Sequence, residues 1–351
     1  MNTKTGFSIV ETMIGITIGI ILSISILGVY LAQKNTYRTN ASQALIQNTE
    51  SAIAALMIPT IRSAGFCGCN SSIFALSNLN DGGPPPLGNL STTPSMIYGY
   101  DASAGTTINI THDNAANSSQ SNKWNPGLDT SLTGNVQPSS DIISVFGPPI
   151  GTEPMGVITI TSGSSSFTLQ SATSIAAGDF GAISDCLKAT VFQITNVNGT
   201  TISHAAGTGA LTNASSSFTA NYRPGAQFVQ IKQTAYFVAN DPSGQSALRR
   251  ATLNPDGTWS IQSLVPDVDT MQVLYGIGSD GFPAEYVPAS AVTNWSQVYA
   301  VRVGFLLAGK VGSATINATT YSLLGTTVNV PADNRLRHVF EMTIHLRNAQ
   351  S

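Results

Sequence analysis

The strongest constraint in this chain is an apolar run near its N-terminus, from Phe7 to Ala32: 26 residues with one charge, Glu11, and 17 apolar side chains. At about 1.5 Å of rise per residue a helix of that length spans roughly 39 Å, more than the roughly 30 Å hydrocarbon core of a bilayer. A cleaved secretory signal has an apolar region of only about 7 to 15 residues before a small-residue cleavage site, so the run is too long for that reading. It predicts a membrane-spanning helix.

No helix stop follows. Gln33 to Ile58 lacks Gly and Pro, and Ala41, Ala44, Leu45, Ala52, Ile53 and Leu56 recur at helical spacings as one apolar stripe. Pro59 is the first breaker, which predicts one helix from Phe7 to Ile58 whose second half leaves the bilayer and packs on a domain. Glu11 is the exception inside the span. An acidic group at mid-bilayer costs on the order of 2.5 to 3.5 kcal/mol, less toward an end, so it either finds a cationic partner or sits solvated at headgroup depth. Lys4 lies seven residues away, but Gly6 interrupts the helical path to it. Gly15 and Gly19 form a GxxxG pair that lets helices approach closely; glycines are common in membrane helices, so ordinary usage is the blander reading.

Beyond Pro59 the pattern changes to strands. Phe340, Met342, Ile344 and Leu346 alternate with Glu341, Thr343, His345 and Arg347, and Val301, Val303 and Phe305 alternate with Ala300, Arg302 and Gly304. Further strands are expected at 141–146, 155–161, 166–170, 189–195, 227–238 and 269–275. Asn254, Pro255, Asp256 and Gly257 are turn residues between two more, 248–253 and 259–264, which predicts a hairpin. From about 70 to 140 the composition shifts to Asn, Ser, Thr and Gly, which predicts long loops with a few short strands. The expected fold is α+β, a long N-terminal helix on an antiparallel β-rich domain.

Composition removes several functions. Only 9% of the 351 residues are charged and the net charge is -3, with no basic cluster longer than Arg249 and Arg250. Soluble proteins average about 25% charged residues. A nucleic-acid surface built on phosphate neutralisation is not expected. GxSxG, HExxH and a phosphate-cradling loop are absent from the sequence, so no catalytic residue is assigned. His338 and His345 are seven apart, on opposite faces of one strand, and do not form a ligand pair. His112 and His204 lie in polar stretches and read as solvated. Asp267 and Asp269 share a strand face that could take Ca²⁺, but solvated carboxylates are the simpler reading, as solvation is for Arg249 and Arg250. No cofactor and no metal site is expected. Three cysteines allow one disulfide. Cys67 and Cys69 flank a single glycine and would bond only in a strained turn, so a long-range bond to Cys186 is favoured.

The run Lys4, Thr5, Gly6, Phe7, Ser8, Ile9, Val10, Glu11 resembles the leader and cleavage site of type IV prepilins. The resemblance implies a leader over 1–6, a pilin helix over 7–58 with 7–32 transmembrane, and a β-rich periplasmic or extracellular domain over 59–351. It implies that a prepilin peptidase cuts after Gly6 and methylates Phe7, and that Glu11 pairs with the N-terminal amine of a neighbouring subunit's Phe7. Orientation rests on this motif, because Lys4 on one flank against Lys34 and Arg38 on the other does not favour an N-terminus inside.

Arg62, Ala64, Gly65, Phe66, Gly68 and Cys69 after the stem resemble the PilW-type minor pilins, as do Asp185 and Cys186, the stretch Met271 to Gly276, and the closing Arg335 to Asn348. Those stretches imply the pairing Cys69 with Cys186, leaving Cys67 as the odd thiol. By resemblance the chain is a minor pilin that helps prime type IV pilus assembly at the tip with other minor pilins, the major pilin and a tip adhesin. It would serve twitching motility, adhesion or DNA uptake, held in the inner membrane until extracted into the pilus. The alternatives are a type II secretion pseudopilin and a membrane-anchored surface adhesin.

Overall fold

The computed structural model describes residues 6, 8–68, 75–80, 82–85, 96–102, 107–110, 117–241, 244–314 and 317–349. The fold is α+β. One helix, Ile9–Arg62, precedes three sheets of thirteen, four and three strands among the described residues.

Every helix side chain from Ile9 through Arg38 is exposed. At about 1.5 Å per residue these 30 residues project roughly 45 Å from the body. The remainder packs on a face that shares only Ile53 with the stripe expected from apolarity. The buried line is Ser42, Ile46, Thr49, Ile53, Met57 and Ile61, while Ala41 and Ala44 are exposed and Leu45, Ala52 and Leu56 are half-buried. One residue is about 100° of helix rotation, so a shift of one position changes the face. Close approach is the physical reason. A Cβ at Gly309 would lie 3.0 Å from Ser42 Cβ, so the helix crosses the body there at a distance only small side chains permit. Just before it, Thr39 Oγ1 donates to Ser313 O at 2.7 Å.

The helix also runs through Pro59 to Arg62 rather than stopping at Ile58. Proline removes one backbone donor, but tertiary contacts hold the last turn on both sides of it. Met57 and Ile61 are fully buried, Tyr236 Oη reaches Thr60 Oγ1 at 3.0 Å, and Arg347 N donates to Arg62 O at 3.2 Å.

Beneath the helix lies the four-stranded antiparallel sheet, ordered Phe282–Val287, Val268–Ser279, Val298–Ala308, Arg337–His345. Its register aligns three apolar rows: Tyr275, Val301 and Ile344; Val273, Val303 and Met342; Met271, Phe305 and Phe340. These rows and the helix residues Ile46, Ile53, Met57 and Ile61 share one core. On the opposite face Leu306 and Val339 pack on the three-stranded sheet. The period-two alternation read in the sequence therefore marks the two faces of this sheet.

The large sheet is organised by its longest strand, Gln227–Asn240, which pairs with Phe180–Ser184 along its first half and with Ile142–Gly147 and Ser246–Leu253 along its second. The hairpin expected around Asn254 to Gly257 is present, joining Ser246–Leu253 to Trp259–Pro266 antiparallel. Gly257 takes φ +82°, a conformation that favours glycine. Short strands at Ile97–Ala102, Thr107–Asn109 and Trp124–Asn125 occupy the described parts of the Asn/Ser/Thr-rich region.

Candidate functional site

The projecting half of the helix is the most conspicuous surface of the molecule. Its most apolar 18-residue window has a mean hydropathy of 2.3 and is entirely unburied, long and apolar enough to cross a membrane. A contiguous apolar surface of this extent marks an interaction or membrane site. The hydroxyls along it are satisfied within the helix. Thr12 Oγ1 donates to Ile9 O at 2.9 Å, Thr17 to Met13 O at 2.8 Å, Ser23 to Gly19 O at 2.8 Å and Ser25 to Ile21 O at 2.9 Å. Such back-bonding hides polar atoms from a surrounding that offers no hydrogen bonds.

Glu11 differs from all four. It sits in the first helical turn, where the helix dipole favours a negative charge, and its carboxylate has no ion-pair partner among the described residues. Gly15 and Gly19 follow at intervals of four, so all three positions fall on one side of the helix. A Cβ at either glycine would meet nothing within 4 Å. A carboxylate thus heads a shallow, side-chain-free row on an apolar rod. Gly6 is exposed just before it; Phe7 lies outside the described residues.

Cys69 and His112 also lie outside them. Cys67 is a free, buried thiol, and burial pushes its pKa up to about 12. Cys186 lies just beyond the strand Phe180–Ser184 at φ +67°.

Several polar residues read as solvated are not. Asp267 is buried against Lys310 Nζ at 2.8 Å and Arg335 Nη2 at 3.0 Å. Asp269 is buried against Arg337 Nε at 2.6 Å, and Arg337 Nη2 reaches Asp333 at 2.6 Å. Their neutralising charges come from protein cations that lie far along the chain, which local sequence could not signal. His204 is fully buried, stacked on Phe218 with ring centroids 3.9 Å apart and beside Phe167 and Phe192. Neither ring nitrogen has a hydrogen-bond partner, and burial lowers its pKa to about 4. The aromatic neighbours come from several strands and loops, so only assembly reveals them. Arg249 and Arg250 are half-buried within the large sheet. His338 Nδ1 meets Glu50 Oε1 of the helix at 2.7 Å. Among the described residues no group of three or more His, Cys, Asp or Glu side chains could hold a metal ion.

Residues 235–348 match the family model described as type IV pilus-assembly protein W. The matched stretch is about a third of the chain. It contains the hairpin, the four-stranded sheet under the helix and the Asp267 to Arg337 ion-pair network. The matched family is one of pilus-assembly proteins, and ahead of that stretch the chain carries a helix long and apolar enough to cross a membrane. Among solved structures the chain is similar to a type IV-like pilin from Thermus thermophilus, with 19% identity over 38% of this chain and 74% of that one and a TM-score of 0.23. No curated protein matches the chain.

Proposed function

We propose that the protein is a minor pilin that joins, and helps to prime, a type IV pilus, at its tip with other minor pilins and a tip adhesin, in support of twitching motility, adhesion or DNA uptake. The observation that carries this reading is the pairing of a body that matches the PilW model over residues 235–348 with a projecting apolar helix whose single carboxylate, Glu11, has no ion-pair partner among the described residues. An unpaired carboxylate in an apolar bundle is costly, and a neighbouring subunit's N-terminal amine would satisfy both groups at once. Cleavage after Gly6 by a prepilin peptidase would create that amine on Phe7, which the same enzyme methylates. Before assembly the helix would hold the protein in the inner membrane with its N-terminus in the cytoplasm. Gly15 and Gly19, in line with Glu11, would give a neighbouring helix room to approach.

The disulfide Cys69 to Cys186 belongs to the same reading of an exported body. Its support is that Cys67 is a free thiol and Cys186 is disulfide-bonded in a chain of three cysteines.

Mass spectrometry of the mature N-terminus tests the processing: a methylated Phe7 is expected, and an intact Met1 sinks the pilin reading. Glu11→Ala is expected to remain membrane-inserted yet fail to enter pili, and normal incorporation of that variant would remove the docking role. Deletion strains scored for surface pili and twitching against secreted hydrolases separate a pilin from a secretion pseudopilin.

A further inference from the structure

The face of the large sheet that carries the helix continues past the helix end, and its chemistry changes there. On Gln227–Asn240 the residues pointing to this face run Val238, Tyr236, Thr234, Lys232, from apolar to cationic. Across the strand, Tyr236 pairs with Arg250 and Thr234 with Thr252; on the other side Thr234 pairs with Val145 and Lys232 with Gly147. Together with Thr60 of the last helical turn and Pro148 to Ile150 these residues enclose a cavity of about 320 Å³. That is the size of a small-ligand site.

Its charge is one-sided. No carboxylate lines it. Arg250 spends a hydrogen bond on a neutral partner, Gln262 Oε1 at 2.8 Å, and Lys232 makes no ion pair among the described residues. The hydroxyls of Thr234 and Thr252 supply further donors. In a chain of net charge -3 with 15 basic residues, two uncompensated cations in one concavity form an anion site. Positions 232 and 236 are four residues apart on one strand, roughly 13 Å, and Arg250 stands opposite Tyr236. The backbone positions that carry the two cations therefore stand roughly 13 Å or more apart along the cavity wall, a separation that suits an extended ligand with two carboxylates. Pro148, Pro149 and the exposed Ile150 give it an apolar wall.

We propose that this cavity binds an extended dicarboxylate, with an acidic peptide segment or a free dicarboxylic acid as its source. The site does not depend on the pilus reading, since none of its residues lies in the projecting half of the helix, residues 9–38. The test uses the full chain in detergent micelles, a fluorescently labelled hexaglutamate peptide followed by anisotropy, and unlabelled sebacate, a diacid long enough to span the cavity, as competitor. Saturable peptide binding is expected, weakened about tenfold in Lys232→Gln and in Arg250→Gln, the loss that follows from one charge-assisted hydrogen bond. Lys232 is half-exposed and makes no ion pair, so its variant carries the test if Arg250→Gln misfolds. Peptide binding tighter than sebacate assigns a protein segment as the source; equal or tighter binding of sebacate assigns the free acid. No saturable binding of either, unchanged binding in Lys232→Gln, or equally tight binding of a single-stranded oligonucleotide overturns the proposal.

Discussion

Arg337 Nε lies 2.6 Å from Asp269 Oδ2 while its Nη2 lies 2.6 Å from Asp333 Oδ2, with all three side chains nearly sealed from solvent. Burial works against the guanidinium charge, but Asp333 and Asp269 outweigh it and hold Arg337 protonated. Removing one partner of such a pair leaves an uncompensated buried charge, at about 3–5 kcal/mol. Arg337→Ala is expected to lose that much stability in denaturant unfolding of the full chain in detergent. The double variant with Asp269→Ala is expected to lose less than the two single losses added. A loss below about 1 kcal/mol for Arg337→Ala, the range of exposed pairs, would show the network to be solvated.

The helix face is tested by contrasting substitutions. Ile46 is buried on the line from Ser42 to Ile61 and lies off the stripe that apolarity favours, so Ile46→Ala is expected to cost about 2–5 kcal/mol. Ala44, on the stripe that apolarity favoured, is exposed, so Ala44→Leu is expected to stay within about 0.5 kcal/mol of the parent. Thermal unfolding that ranks the two the other way round would contradict the observed face.

Two buried titratable groups give opposite pH dependences. The pKa of His204 falls to about 4, depressed by burial, against an ordinary value of about 6.5. Its contribution is present above pH 6.5 and is lost as the pH falls toward 4, because the unfolded chain binds the proton first. Asp141 is raised to about 8 by burial, only partly offset by the backbone N–H donors of Ala102 and Val273. Its contribution is present below about pH 4 and is lost as the pH rises through 8. Each slope is at most about 1.4 kcal/mol per pH unit. The two slopes offset each other between about pH 4 and 6.5 in the parent, so chemical denaturation at a series of pH values is expected to show His204→Phe uncovering a fall in stability with rising pH in that interval, and Asp141→Asn flattening the interval from 6.5 to 8, where His204 no longer titrates. An unchanged profile in both variants would refute the assignment.

Thiol counting tests the cysteine arrangement. With Cys67 buried and its pKa up at about 12, the native protein is expected to take up no alkylating reagent, and the unreduced, denatured protein one equivalent. Cys186→Ser is expected to add a second equivalent in the denatured state by freeing Cys69. Three reactive thiols in the unreduced parent would exclude the disulfide.

Much of the architecture was legible because it depends on periodicity. The 26-residue apolar run, the alternation from Phe340 to Leu346 and the turn residues Asn254 to Gly257 each encode a local conformation that tertiary packing then used unchanged. Boundaries were less legible where packing overrode a local signal. Pro59 reads as a helix stop, yet buried Met57 and Ile61 and the hydrogen bond from Arg347 to Arg62 carry the helix past it. The buried helix face was misplaced by one residue because Ser42 and Thr49 do not register as apolar, although small size rather than hydrophobicity is what the approach of Gly309 requires.

For the candidate site the division follows the same line. By itself the sequence determined the rod: its length, its apolarity, and the placing of Glu11, Gly15 and Gly19 on one side, all consequences of helical spacing within a single segment. Only the tertiary structure decided the fate of the polar residues in the body. Asp267, Asp269 and His204 look solvated in one dimension, because the groups that neutralise or enclose them, Arg335, Arg337, Phe167 and Phe218, lie elsewhere in the chain. Burial and charge pairing depend on what the fold brings within a few ångströms, and that is a property of the sheet register rather than of neighbouring residues.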